Sequence, residues 1–301
     1  MQLRGVTIED TFAEAFTMRV ARAVITARSP RWAREAALKM TGFATSVIGC
    51  KLEAGIEREL AESETPDGRP GISVLLLTMA REDLGHRLIE RVGQTVLTCP
   101  TTCCFDGLPD APDRVGVGSA LRLFGDGFQG SKVIGGRRFW RIPVMEGEFL
   151  VEDKFGLQKG IGGGNFLILA TDPDAALAAA EAAVEAIAHV PGVILPFPGG
   201  VVRSGSKVGS RRSKGLVAST NDAYCPTLRA VTTTALPEGV HSVLEIVVDG
   251  TDAAAVSRAL RVGIDAACRE GVVAISAGNY GGKLGPHHFH LRQIMSGDGA
   301  R

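Results

Sequence analysis

The residue with the clearest chemical promise is Glu245, set in the run Val243-Leu244-Glu245-Ile246-Val247-Val248. On a strand, Val243, Glu245 and Val247 share one face and Leu244, Ile246 and Val248 the other. Both faces are apolar, so the carboxyl is expected where water is scarce. Desolvation raises a carboxyl pKa and keeps the group protonated, able to donate a hydrogen bond or a proton. The alternative is a strand-end Glu paired with an Arg or Lys, because structural ion pairs perturb carboxyls too. Just upstream, residues 196–226 read PFPGGVVRSGSKVGSRRSKGLVASTNDAYCP, a glycine-rich stretch long enough to suggest a functional loop. Within it, Arg211, Arg212 and Lys214 concentrate positive charge, as a solvated tip or as a docking patch for an acidic substrate tail. Cys225 has the type of a nucleophile, but no histidine is an evident partner, and a buried structural thiol is the plainer reading.

Other constellations lead nowhere. Gly278-Asn279-Tyr280-Gly281-Gly282-Lys283-Leu284 fails as a P-loop, because the spacing is one short and Leu284 cannot hold magnesium. Gly116-Val117-Gly118 lacks the third glycine of a dinucleotide fingerprint, and Gly160 to Gly164 precedes a strand instead of opening a helix. His287, His288 and His290 would splay to opposite faces of a strand with no acidic or cysteine partner at ligand spacing, so no metal is expected.

These groups must be positioned by a scaffold. The chain has 301 residues, 45% apolar and 22% charged, enough to bury a sizeable core. Lys+Arg and Asp+Glu balance at 33 each, so no global field recruits nucleic acid or a membrane surface. Six cysteines are too sparse for a disulfide framework. The N-terminus lacks the apolar core of a signal peptide and no apolar run spans a bilayer, so a cytoplasmic location is expected. In the second half, 165–170 reads as a buried strand. Asp172-Pro173 opens a helix with Leu177, Val184 and Ile187 on one face, and 192–197 is a second strand. After the loop come a strand over 240–248, a helix from Asp252 carrying Val256, Leu260, Ile264 and Cys268, and a strand over 272–276. This β-α-β-β-α-β order is the ferredoxin-like plan. The first half repeats it less cleanly, with strands at 18–27, 45–50 and 71–79. Helices start at Ser29-Pro30 and Glu82, and either 120–124 or 138–144 supplies the fourth strand. The expected fold is α+β, with two ferredoxin-like lobes related by duplication, 1–148 and 149–301. The second carries the loop and Glu245.

Several long motifs resemble formylmethanofuran:tetrahydromethanopterin formyltransferase. They are Glu9-Asp10-Thr11-Phe12-Ala13-Glu14-Ala15-Phe16, Glu64-Thr65-Pro66-Asp67-Gly68-Arg69-Pro70-Gly71, Phe197-Pro198-Gly199-Gly200, Ala218 to Pro226 (ASTNDAYCP), and Ile275-Ser276-Ala277-Gly278-Asn279. The likeness runs from about Gly5 to about Leu291. It implies two ferredoxin-like lobes in a cytoplasmic homotetramer without metal or prosthetic group. The implied reaction moves a formyl group between the amine of methanofuran and N5 of tetrahydromethanopterin, both bound as substrates in a ternary complex. The family's catalytic carboxylate falls on Glu245. Pro198, Gly199, Gly200, Ser206, Lys207, Asn221, Asp222, Tyr224 and Cys225 are expected to orient the formyl donor, and Arg211, Arg212 and Lys214 to dock an acidic tail. The neutral, Ala- and Arg-rich composition resembles the bacterial branch, whose formyltransferase works with hydrolase subunits, in the direction from pterin to furan. A different reading is a non-catalytic scaffold subunit or sensor built from such lobes. A folate formyltransferase is disfavoured, since its Asn-His-Asp set is not recognisable. The tail 288–301 has no functional account.

Overall fold

The computed structural model describes residues 1–297. A short strand β1 (Val6–Ile8) leads into the long β2 (Phe12–Thr26), followed by α1 (Pro30–Thr41), β3 (Glu53–Leu60), β4 (Gly71–Thr78), α2 (Arg81–Arg91) and β5 (Cys103–Asp106). Three strands then run β6 (Gly130–Ile134), β7 (Arg137–Val144) and β8 (Gly147–Glu152). The remainder is β9 (Lys154–Ala170), α3 (Pro173–Ile187), β10 (Val193–Ile194), β11 (Ser242–Gly250), α4 (Ala253–Ala267), β12 (Val272–Ser276), β13 (His287–His290) and α5 (Leu291–Ser296).

Contacts divide the chain into two units, one of residues Met18–Gly160 and the other of Met1–Thr17 with the chain from Ile161 onward. The expected junction at Glu148 lies inside β8; the chain changes unit within β2 and within β9. The cause is pairing between distant segments. β1 runs parallel to β12, with Ile8 opposite Ile275, and the start of β2 pairs with β13, Glu14 opposite His288.

In the 18–160 unit the sheet order is β3-β4-β2-β5, all antiparallel. β8, β7 and β6 extend it beyond β5. Ala33, Ala36, Ala37 and Met40 of α1 and Leu84 and Leu88 of α2 form one core with Ala23, Ile25, Val74 and Leu76 of the strands. Two expectations fail here. Residues 45–50 are not a strand, because the Ser46 hydroxyl accepts from the Ile48 N–H and caps the single helical turn Val47–Cys50, leaving Ile48 exposed. The strand is Glu53–Leu60, disguised by its acidic residues; the buried Glu57 carboxylate accepts two bonds from Arg22 at 2.7 Å and one from Ser73 at 2.6 Å. The fourth strand is neither candidate but Cys103–Asp106, buried throughout; 120–124 is helical and 138–144 belongs to β7.

In the other unit the order is β12-β9-β11-β10, again antiparallel. Asp172 and Asp252 cap α3 and α4 as the sequence suggests, each accepting from the N–H three residues on, at 2.9 and 2.8 Å. Both helices cover one face of the sheet, with Ala179, Ala183 and Ile187 of α3 and Val256, Leu260 and Ile264 of α4 against Phe166, Ile168, Ile246 and Val248. The strand expected over 192–197 shrinks to Val193–Ile194, since Pro196 and Pro198 offer no N–H to a ladder. The helices meet at Gly263, where an added Cβ would lie 2.7 Å from Ile187 Cδ1 and 3.2 Å from Phe166 Cε1. Gly263→Val is expected to destabilise the fold by about 1–3 kcal/mol through overpacking, read as a lower midpoint in denaturant at unchanged slope.

Candidate functional site

The site is built on the face of that sheet opposite the helices. Leu167, in the middle of β9, pairs with Glu245 of β11 on one side and Ser276 of β12 on the other. Directly paired residues point the same way, so Glu245, Leu167 and Ser276 form one row. Leu167, Leu169 and Ala274 on this face are covered by Leu236, Val240 and Tyr224, from the long segment between β10 and β11.

That segment leaves β10 through a turn at Pro198–Gly200. Gly199 and Gly200 have φ of +61° and +78°, and a Cβ on Gly200 would meet Val184 and Leu195 within 3 Å, so only glycine fits. The turn returns the chain to the edge of β11. There Val202 and Glu245 exchange both backbone hydrogen bonds, at 2.8 and 2.9 Å. Next comes a two-stranded ribbon, Lys207–Val208 against Ala218–Ser219, whose tip is exposed. Asp222 ties the ribbon down. Its carboxylate pairs with the Lys207 ammonium and, at 3.1 Å, with Arg211; Lys207 holds the carboxyl below its ordinary range. Arg229 fastens the end of the segment by donating to the carbonyls of Leu236, Pro237 and Val240.

A second piece of backbone borders the row beyond β12. Asn165, on the Glu245 face of β9 and paired with Val247, accepts from the Gly278 N–H at 2.6 Å and donates to the Gly278 carbonyl at 3.1 Å. The chain then turns over Glu14, whose carboxylate accepts from the N–H groups of Tyr280, Gly282, Leu284 and Gly285 at 2.6 to 2.9 Å. The apparent phosphate loop is therefore a cradle for an internal carboxylate. Burial works to raise the Glu14 pKa, but the four donors overcome it and hold it at about 2. Tyr280, at the head of this turn, lies within electrostatic reach of Ser206 and Glu245; burial foremost and then that carboxylate push its phenol pKa up.

Glu245 carries no comparable set of donors. Its side chain keeps a partly open edge, yet enough protein surrounds it that desolvation lifts the carboxyl from 4.5 to about 7. It thus sits half-protonated near neutrality, the state suited to proton traffic.

Of the residues singled out from sequence, Ser206 and Glu245 both lie within electrostatic reach of Tyr280, and Lys207, Arg211 and Asp222 form one ionic group. Tyr224 covers the row and its hydroxyl reaches Ser276 at 3.3 Å, whose own hydroxyl donates to Glu9 at 2.5 Å. The Cys225 thiol lies beside the Asn221 carbonyl and the Thr220 hydroxyl, neither of them a base. Pro198, Gly199 and Gly200 shape the return to β11, on the side of α3. Arg212 and Lys214 stay on the exposed tip. Among the histidines, His287 meets the Thr17 hydroxyl and His288 the Gly285 carbonyl. The sequence reading gives Tyr280, Glu14 and Asn165 no role in the site; the signal was the sequence GNYGGKLG, a string of potential backbone donors that suits an internal carboxylate as well as a phosphate.

Fold and site together define a two-unit α/β protein with a desolvated carboxyl under a long, anchored loop. A family profile described as formylmethanofuran-tetrahydromethanopterin formyltransferase matches residues 1–144, and its companion, the FTR proximal lobe, matches residues 147–294. The chain belongs to this formyltransferase family. It is 58% identical to the formylmethanofuran–tetrahydromethanopterin formyltransferase of Methylobacillus flagellatus, across 98% of this chain and 100% of that one. The formyltransferase structure from Methanosarcina barkeri matches with a TM-score of 0.94 at 50% identity, over 98% of this chain and 100% of its own. A chain of the formyltransferase/hydrolase complex of Methylorubrum extorquens, solved with methylofuran, matches with a TM-score of 0.95 at 51% identity over 98% of each.

Glu14 gives a pH test of the site's frame. Its carboxyl is depressed from 4.5 to about 2, so its contribution is complete above pH 4.5 and is lost as the pH falls toward 2. Glu14→Ala, which strands four donors, is expected to cost about 3 kcal/mol or more at pH 7. In denaturant titrations the gap between parent and variant should narrow steadily below pH 4.5.

Proposed function

We propose that the protein transfers a formyl group between the amine of methanofuran, or a close furan analogue, and N5 of tetrahydromethanopterin. The observation that carries this is the half-titrated Glu245 on a covered face, in a chain whose two halves match the two profiles of the family. The attacking nitrogen adds its lone pair to the formyl carbon, the carbonyl electron pair moves onto oxygen, and the nitrogen then sheds its proton. When the tetrahedral carbon collapses, the oxygen re-forms the carbonyl and the other nitrogen leaves with a proton. Protonated Glu245 donates to the developing oxyanion, or passes the proton between the nitrogens. Preorganised donors of this kind are commonly the largest catalytic contribution, and holding both substrates together supplies proximity.

Ser206, Lys207, Asn221, Asp222, Tyr224 and Cys225, with the turn at Pro198, Gly199 and Gly200, orient the donor. Cys225 acts by packing and hydrogen bonding; with no base beside the thiol, a formyl-cysteine intermediate gains no support, and sequential kinetics are expected. The scaffold reading gains none either, since this chain keeps both the Asn221–Cys225 motif and Glu245. The strand orders β3-β4-β2-β5 and β12-β9-β11-β10 support two duplicated ferredoxin-like lobes. A homotetramer in the cytoplasm, working with hydrolase subunits, is the setting we propose. It is supported by the Methylorubrum relative's complex and by six free cysteines; no helix among the described residues is long and apolar enough to cross a membrane.

Glu245→Gln separates function from stability. A carboxyl raised from 4.5 to about 7 leaves the fold at full strength below pH 4.5 and weakens it as the pH climbs through 7. The variant is therefore expected to be more stable than the parent above pH 7, with a ceiling of about 3–4 kcal/mol, while transferring formyl groups about a hundredfold more slowly. The parent's rate should fall as pH rises through about 7. A folded variant that transfers at the parent rate removes Glu245 from the reaction.

The exposed tip gives a separate measurement. Arg211 pairs only at the surface with Asp222, so it remains available to a soluble anion. Replacing Arg211, Arg212 and Lys214 together by Gln is expected to raise KM for the furan substrate several-fold, more at low salt than at high salt, with kcat held. An unchanged KM at low salt refutes docking of an acidic tail.

A further inference from the structure

Glu14 takes no part in the steps above, yet four backbone donors converge on its carboxylate. The turn they fix is made for that contact. Gly281 and Gly282 have φ of +70° and +71°, and a Cβ on Gly285 would lie 2.4 Å from the Ala15 carbonyl oxygen. Tyr280 is the first residue held. Two residues before it, Gly278 is tied to Asn165 through both its N–H and its carbonyl, and Asn165 stands on the Glu245 face of β9. Tyr280 is thus pinned from both sides beside the row that carries Glu245. Its ring contacts Phe16, with centroids 6.4 Å apart, and its hydroxyl lies within electrostatic reach of Ser206 of the long loop and of Glu245.

We propose that Tyr280 is a second hydrogen-bond donor to the oxygen that becomes negative during formyl transfer, and that Glu14 is the positioning residue that aims it by clamping the 280–285 turn. The inference rests on the formyl-transfer reading. It answers a shortfall in that reading: an oxyanion needs converging donors, and Glu245 supplies one hydrogen for only part of its population near neutral pH. A phenol keeps its proton there, and burial with the nearby Glu245 charge strengthens that hold. The phenol donates a hydrogen bond without giving up its proton, so the proton balance of the transfer is unchanged.

The test uses the full chain in the assembly it forms, with variants Tyr280→Phe and Glu14→Gln, singly and together. Tyr280→Phe is expected to keep the parent's thermal midpoint and both KM values within about twofold while kcat falls about a hundredfold. Glu14→Gln should lower kcat in the parent but add nothing in the Tyr280→Phe background, the signature of acting through that residue. Parental kcat in Tyr280→Phe, a loss confined to KM, or an equal Glu14→Gln penalty in both backgrounds overturns the proposal. Should Glu14→Gln fail to fold, a second arm decides. The chain has two tyrosines, so in a Tyr224→Phe background the ultraviolet phenolate signal belongs to Tyr280 alone. Adding Glu245→Gln must then shift that ionisation to lower pH, and an unmoved titration overturns the proximity. A parent that transfers no formyl group overturns the functional reading and this inference together. An active parent indifferent to Tyr280→Phe overturns this inference alone.

Discussion

The site depends on one register. Leu167 of the central strand faces Glu245 on one side and Ser276 on the other, and every other part of the site is placed relative to that row. A strand alternates its faces with period two, so a slip by one residue would turn Glu245 toward α3 and α4 and bring Leu244 or Ile246 into its place. Ile246 and Val248 oppose the slip, because the same shift would carry their side chains out of the core they form with Phe166 and Ile168, at about 1.5–3 kcal/mol each. The hydrophobic core under the helices thereby fixes the position of a single carboxyl on the opposite face.

The opposite face needs its own cover, which helices do not provide. The segment between β10 and β11 supplies it, and a loop without regular structure is a weak cover unless it is fastened. It is fastened at four places: the Gly199–Gly200 turn, the backbone pair Val202–Glu245, the Lys207–Asp222 ion pair and the Arg229 bonds to three carbonyls. Between these anchors the ribbon tip at 210–216 stays free of the sheet. Rigid contact near the carboxyl and freedom at the tip are what a site must combine if one end of a substrate reacts while another end varies.

How much of this was legible in the sequence followed from how local each cause is. Helix caps at Asp172 and Asp252 depend on four consecutive residues and were read directly. Glu245 stood out because its strand neighbours are apolar on both faces. The strand at Glu53–Leu60 was hidden because its buried Glu57 is satisfied by Arg22 and Ser73, partners that sequence does not bring together. The exchange of chain between the two contact units was not legible for the same reason, since β1 and the start of β2 pair with strands about 270 positions away. Tyr280 escaped notice because its placement comes from backbone N–H groups closing on Glu14, and a carboxylate cradle has the same glycine spelling as a phosphate cradle.

Two glutamates of one unit show why depth alone does not set a carboxyl's chemistry. Glu14 is 1% exposed and Glu245 keeps an open edge though protein surrounds it closely, and the two carboxyls part widely, at about 2 against about 7. Removal from water penalises both anions; only Glu14 recovers the loss, through four oriented donors. The sheet around Glu245 cannot repeat that solution, because Glu245's own backbone N–H is spent on the Val202 carbonyl and its strand neighbours' N–H groups serve the ladder with β9. Regular strand pairing on both sides therefore does two things at once. It holds the carboxyl in place, and it denies the carboxyl the donors that would fix it as an anion.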